Sequence, residues 1–301
     1  MRDHSLGILL ALGACVLWSL SPFFFTSTGR RIGPFATNLL RLLLATVLLA
    51  IACAVQWIFL PRIPLPGWHA SEFLALSGVV GLFVGDIFLY QSLFKVGPER
   101  TSLLMTLSPA VTAALAWIFL DERLSPEQLL GMAMVLGGVA GAVWPKKFPH
   151  PEKKAGSHVQ DGILAAVIQG FGSILARQAF LVETDLSPVF ATTVRVGAGT
   201  VAILLAAIAT GRLVPALRKT RDPALAGRML GGTLTGPVIG MLFFIGSLKY
   251  LPAGIVSTIT FMTPLLIIPL GAWRYKARFT GRVLLGGAVA LVGVALLGWN
   301  P

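Results

Sequence analysis

The chain has 301 residues, 55% of them hydrophobic and only 12% charged, with a mean hydropathy of +0.82. That is more apolar surface than a soluble core can bury, so the composition excludes a soluble globular domain and specifies an integral membrane protein whose first partner is the lipid bilayer. The net charge of +12 does not point to nucleic acid, because nearly all Lys and Arg lie in short breaks between apolar runs, where basic residues orient membrane helices.

Apolar runs of roughly 20 residues predict ten membrane helices, over 6–25, 35–57, 72–94, 100–120, 126–144, 162–182, 188–210, 227–250, 254–273 and 280–299. The first run is too long for a signal-peptide core and carries no A-x-A pattern, so it is expected to remain as a helix of the mature protein. Links are short except at 61–71, 145–160 and 211–226. The middle link, with Lys146, Lys147, Pro149, Pro151, Lys153 and Lys154, reads as a basic linker. The expected organisation is a first five-helix repeat over 1–145, a linker over 146–160 and a second five-helix repeat over 161–301.

The repeat is explicit in the residues. A shift of 155 carries Gly81, Gly85, Ser92, Ser102, Pro109, Arg123, Gly131, Gly138 and Trp144 onto Gly236, Gly240, Ser247, Ser257, Pro264, Arg278, Gly286, Gly293 and Trp299. Five helices per unit is an odd number, so the second unit enters the membrane from the opposite side. The predicted fold is therefore an all-α membrane protein with ten transmembrane helices in two inverted five-helix repeats. Such halves usually rock about a central site, which favours a transporter; a membrane receptor or scaffold is the alternative.

Polar groups at membrane depth are the informative ones, since they are costly unless they face a cavity or a partner. Asp86 is the one acidic residue deep in an apolar run, and Arg41, on a helix running the other way, falls at similar depth. Asp86 is either a proton relay or ligand for a substrate amine, or a buried counter-ion to Arg41. In the second unit Arg195 matches Arg41 at a shift of 154, whereas Met241 replaces Asp86, so Arg195 lacks the corresponding partner. Arg177 is expected at the depth of Arg195, where two guanidinium groups would suit a carboxylate or phosphate; alternatively it reaches Glu183, Asp185 or headgroups. Trp18, Tyr90, Gln91, Thr106, Gln169, Thr260 and Thr263 are candidates for weaker contacts along a pathway, or for packing and interhelical bonding. Pro109 and Pro264 each remove a backbone bond well inside a helix and predict kinks, and Pro237 predicts another break.

Soluble-enzyme motifs are missing: there is no phosphate-binding G-x-x-x-x-G-K-[ST] loop, no H-E-x-x-H and no nucleophile elbow. Cys15 and Cys53 fall in apolar runs and the four His are scattered, so neither a metal nor a cofactor is expected.

The run Leu107-Ser108-Pro109-Ala110-Val111-Thr112-Ala113-Ala114-Leu115-Ala116-Trp117, followed by Leu120-Asp121-Glu122-Arg123-Leu124-Ser125 and Gln128-Leu129-Leu130-Gly131, resembles the signature of the EamA-type drug/metabolite transporter superfamily. Leu17-Trp18-Ser19 and Leu39-Leu40-Arg41-Leu42 are similar to that family's other marks. The resemblance implies a ten-helix bundle that moves small metabolites, often amino acids outward, across the cell membrane without ATP. The second unit departs from the pattern, with Ala277 in the place of Glu122 and Ser173 in that of Trp18. Orientation is a point of conflict. Most basic residues follow odd-numbered helices, which places those loops in the cytoplasm and both termini outside, whereas the resemblance implies termini inside.

Overall fold

The computed structural model describes residues 2–59, 65–96, 98–144, 156–218, 223–275 and 281–298. They form ten helical rods, numbered here α1 to α10. In the first unit α1 is Arg2–Ile32, α2 Pro34–Phe59, α3 spans 68–95, α4 spans 98–120 and α5 is Pro126–Val143. In the second α6 is Gly156–Val182, α7 Pro188–Ala209, α8 spans 223–250, α9 spans 253–275 and α10 is Gly281–Leu297. Nine of the rods contain a stretch long and apolar enough to cross a membrane, and α10 is a shorter apolar helix.

The boundaries move outward from the apolar runs, because polar residues at helix ends can continue a helix through the interface. α1 extends past 25 to Ile32, so Arg30 and Arg31 lie in its last turn rather than in a loop. Gly33 then stops it with φ +86° and bonds its N–H to Gly29 O at 2.9 Å, and Pro34 opens α2 at once. α6 begins at Gly156, so the end of the expected linker is helical, while 145–155 lies outside the described residues. The long connection after α7 contains a short helix, Leu213–Arg218. Local signals set other ends: Ser125 and Gln128 form a capping box at α5 with Pro126 at its first position, and Ser187 caps α7 ahead of Pro188.

The two units do not sit side by side; they interlock. α1 packs chiefly on α8 and α9 of the other unit, and α6 packs in the matching way on α3 and α4. Between these pairs α2 crosses α7, and α5 lies along α10. Contacts step in opposite directions along equivalent helices, Gly131 meeting Gly293 and Gly138 meeting Gly286, as antiparallel and hence inverted units require. Thr46 and Thr200, which correspond at the same shift of 154 as Arg41 and Arg195, hydrogen-bond each other at 2.7 Å. Equivalent residues can meet only on the pseudo-two-fold axis, which therefore passes through the α2–α7 crossing.

Small residues allow the closest approach, since helices in lipid associate by packing rather than by escape from water. A Cβ added to Gly131 would stand 2.6 Å from Gly293 O, and one on Gly138 would run into Gly286 O, whereas Gly137 has open space. Gly138→Ala should therefore lower the melting temperature of the detergent-purified protein, by an overpacking cost of about 1–3 kcal/mol. Gly137→Ala should leave it unchanged. Equal melting curves for the two variants would show that the α5 and α10 backbones are not in this contact.

Candidate transport site

The third helix of each unit is not a regular α-helix throughout. α3 winds as a π-helix over Val79–Gly85 and α8 does so over Leu234–Val238, and the shift of 155 carries the start of one onto the start of the other. Wider winding strains the ordinary ladder, and in α8 Pro237 also lacks an N–H, so side chains must help satisfy carbonyls that cannot turn to water in lipid. The donors come from the first helix of the opposite unit. Gln169 Nε2 of α6 donates to Gly81 O at 3.4 Å, and Trp18 Nε1 of α1 donates to Gly236 O at 3.2 Å. Gly81 and Gly236 are themselves equivalent positions. Asn38 Nδ2 adds a bond to Leu82 O at 3.4 Å, and Trp18 packs on Phe244 with ring centres 5.2 Å apart.

Asp86 follows the π turn of α3 directly and is 4% exposed. Arg41 Nη2 forms an ion pair with its Oδ2, and Gln169 Nε2 donates to its Oδ1 at 3.2 Å. Arg41 is held further by Asn38, one helical turn earlier, whose Oδ1 accepts from Nε at 2.7 Å. Its guanidinium also lies 5.9 Å from the Phe25 ring centre and 5.6 Å from that of Tyr90, within reach of cation–π attraction. Arg195 enters from α7, within electrostatic range of Asp86 and 5.7 Å from the Phe244 ring centre. Its Nε and Nη1 are buried without a hydrogen-bond partner among the described residues. The expected Arg41–Asp86 pair is thus present, and Gln169 and Arg195 from the second unit gather on the same spot.

Other candidate residues fall elsewhere. Pro109 cannot bond to Met105 O, and α4 is interrupted at Thr106, whose Oγ1 donates to Leu103 O at 2.6 Å. Pro264 cannot bond to Thr260 O, and that carbonyl accepts from Thr263 Oγ1 at 2.6 Å across the matching interruption of α9. Thr260 is buried and bonds back to Val256 O within its own helix, so it offers no free hydroxyl proton. Gln91 is half-buried and makes no hydrogen bond to the cluster among the described residues.

Arg177 requires a correction. It pairs with neither Glu183 nor Asp185, and it does not join Arg195. Its Nε donates to Glu122 Oε1 at 2.6 Å and its Nη1 to Leu248 O at 2.6 Å. Asp121 explains this geometry: at φ 51° it ends α4 in the left-handed conformation, and the turn brings Glu122 inward, where Oε2 also accepts from Ala253 N at 2.9 Å. Glu183 instead accepts from Gly67 N at 2.8 Å. Sequence reasoning missed Asn38, Phe25 and Phe244; Asn38 was detectable as the polar residue three before Arg41, but nothing short of the fold places the two rings.

Asp86 and Arg195 are buried, and Arg41 is partly exposed. One surface pocket of about 240 Å³ lies where α1 turns into α2 beside Arg212, and another of about 460 Å³ lies between α5 and α10. Neither is lined by Arg41, Asp86, Gln169 or Arg195.

Two interlocked inverted units, matched breaks in the third and fourth helices of each, and a polar cluster shared between them define a multi-pass membrane protein built on the plan of an inverted-repeat transporter. The chain belongs to the EamA-like transporter family, whose model matches residues 5–144 and 161–299, once per unit. A probable terminal-alkyne amino-acid exporter of Streptantibioticus cattleyicolor is 31% identical over 108 residues, 36% of this chain and 35% of that protein. An uncharacterized protein of Methanocaldococcus jannaschii is 31% identical over 65 residues, 22% of this chain and 47% of that protein. The matches thus span less than half of either curated relative. A solved crystal structure superposes with a TM-score of 0.75 over 97% of this chain and 96% of its own at 19% identity, a likeness of fold alone.

Removing one member of a buried ion pair strands the other, at a cost of about 3–5 kcal/mol, whereas removing both need not. Asp86→Asn and Arg41→Gln should each lower the yield of folded protein, and the double variant should regain much of it. Size-exclusion profiles of the four proteins provide the check; a double variant no better than either single one would show that the pair does not hold the fold.

Proposed function

We propose that the chain is a secondary exporter of amino acids or related small metabolites in the cell membrane, working by alternating access between its two units. The observation that carries this reading is the convergence of Arg41 and Asp86 from one unit with Gln169 and Arg195 from the other. A scaffold would be expected to bury its polar groups in satisfied pairs, and Nε and Nη1 of Arg195 have no hydrogen-bond partner among the described residues. Family membership supports transport, and the name of the Streptantibioticus relative supports an amino acid and outward movement. The contacts of α6 with α3 and of α1 with α8 run through the cluster and the π turns, so alternating access would move α3 and α8 relative to α6 and α1. The π turns and the breaks before Pro109 and Pro264 are joints where a half-helix can swing without breaking a regular ladder. On the charge distribution, the basic loops after odd-numbered helices face the cytoplasm.

Counterflow in proteoliposomes containing only the purified chain tests the reading. Exchange of at least one labelled amino acid without ATP is expected, and failure of a broad metabolite panel would remove it. The joints make a separate prediction. Alanine at Pro109 or Pro264 restores a helical hydrogen bond, so Pro109→Ala and Pro264→Ala should fold in normal yield yet exchange substrate severalfold more slowly. Parental exchange rates in both variants would mean that the prolines are merely accommodated by packing.

A further inference from the structure

The two central arginines stand at equivalent positions but in unequal company. Arg41 has a carboxylate, Asp86; the position equivalent to Asp86 in the other unit is Met241, which is buried and cannot balance a charge. Arg195 is 2% exposed and has two guanidinium nitrogens without partners among the described residues. Asp86 does not make up the difference, because it carries a single negative charge and forms its ion pair with Arg41. Among the described residues, two guanidinium groups and one carboxylate leave one positive charge without a counter-ion of its own in the middle of an apolar bundle, and isolated buried charge is strongly unfavourable.

The backbone of α3 comes close to that charge. A Cβ added to Gly81 would lie 3.1 Å from Arg195 Nη2 and 3.6 Å from Gln169 Oε1, so only glycine leaves the guanidinium facing bare backbone at the π turn of α3. Phe244 covers another side and keeps the surroundings apolar, which strengthens any ion pair formed there. A planar fork of donors in such a place matches a carboxylate, which it can hold through two parallel hydrogen bonds.

We propose that Arg195 binds the carboxylate of the transported substrate, which stands to Arg195 as Asp86 stands to Arg41. The substrate class is then a small molecule with a single carboxylate, as a zwitterionic amino acid or a monoanion, and amines without an acid group are excluded. The proposal rests on the transporter reading and adds the chemistry of its cargo.

The test uses counterflow with three sets of labelled probes: L-amino acids, the same compounds as α-carboxamides, and monocarboxylates without an amino group. At least one acid should exchange, with its carboxamide slower by about tenfold to a hundredfold, the range set by a hydrogen bond to a charged group. Arg195→Gln should lower kcat/KM for the acid by a similar factor and abolish the preference for acid over amide, while Arg195→Lys retains part of it. In the parental protein the exchanged acid should raise the melting temperature and its carboxamide should not, a measurement that needs no variant to fold. Equal exchange of acid and amide by the parental protein, or a folded Arg195→Gln variant that keeps the preference, overturns the proposal. Exchange confined to amides or amines overturns it while leaving the transporter reading intact; a panel in which nothing exchanges removes both.

Discussion

Backbone carbonyls inside a bilayer have no water to turn to, and this chain meets that constraint at its two π turns with side chains from the opposite unit. Gln169 serves Gly81 O and Trp18 serves Gly236 O. The same requirement explains why α1 and α6 lie on the other unit's helices rather than on their own neighbours: each supplies a donor where the partner's third helix cannot satisfy itself. At the proline-induced breaks the contacts are local: Thr263 bonds to Thr260 O, the carbonyl that Pro264 leaves free, and Thr106 bonds to Leu103 O. A bundle assembled in this way contains regions of irregular backbone that are stable yet held by only one or two side-chain bonds, which is the kind of contact a moving helix can exchange.

Charge is distributed with less symmetry than shape. The pseudo-two-fold axis relates Arg41 to Arg195 and brings Thr46 to Thr200, yet only one of the two arginines has a carboxylate. Gln169 links the two features, since its amide donates both to the π turn and to Asp86. A change of charge at Asp86 would therefore be transmitted to the backbone of α3 through a single side chain. At the other end of α6, Arg177 ties Glu122 to the end of α8, and Glu122 in turn holds the first turn of α9. The family pattern that singles out Glu122 thus corresponds here to a tie between units.

Much of this was legible in the residues. The shift of 155 that aligns Pro109 with Pro264 and Gly131 with Gly286 exposed the duplication, and odd parity gave inversion. Counting depth from Pro34 and Lys95 was enough to match Arg41 with Asp86, because rise per residue is fixed in a helix. Interlocking was not legible, since hydropathy reports that a helix enters lipid but not which neighbour it meets. For the same reason neither expectation for Arg177, beside Arg195 or reaching Glu183, Asp185 or headgroups, finds its partner Glu122, which comes from 55 residues earlier. The π turns were half visible: Gly236-Pro237 marked a break in α8, but α3 has no proline, and Gly81 and Gly85 indicate close packing as readily as altered winding.

Interlocking also has a consequence for how the protein is made. The bond between Trp18 and Gly236 joins residues 218 positions apart. At ~5–20 residues per second, ribosomal synthesis delivers the second only roughly 10–45 s after the first. During that interval α1 is in the bilayer without the helices it will pack against, its indole N–H unspent and its small-residue face open to lipid. The first half of the chain is thus an incomplete body until the second half arrives, and its early life depends on whatever the insertion machinery and the surrounding lipids offer in place of α8.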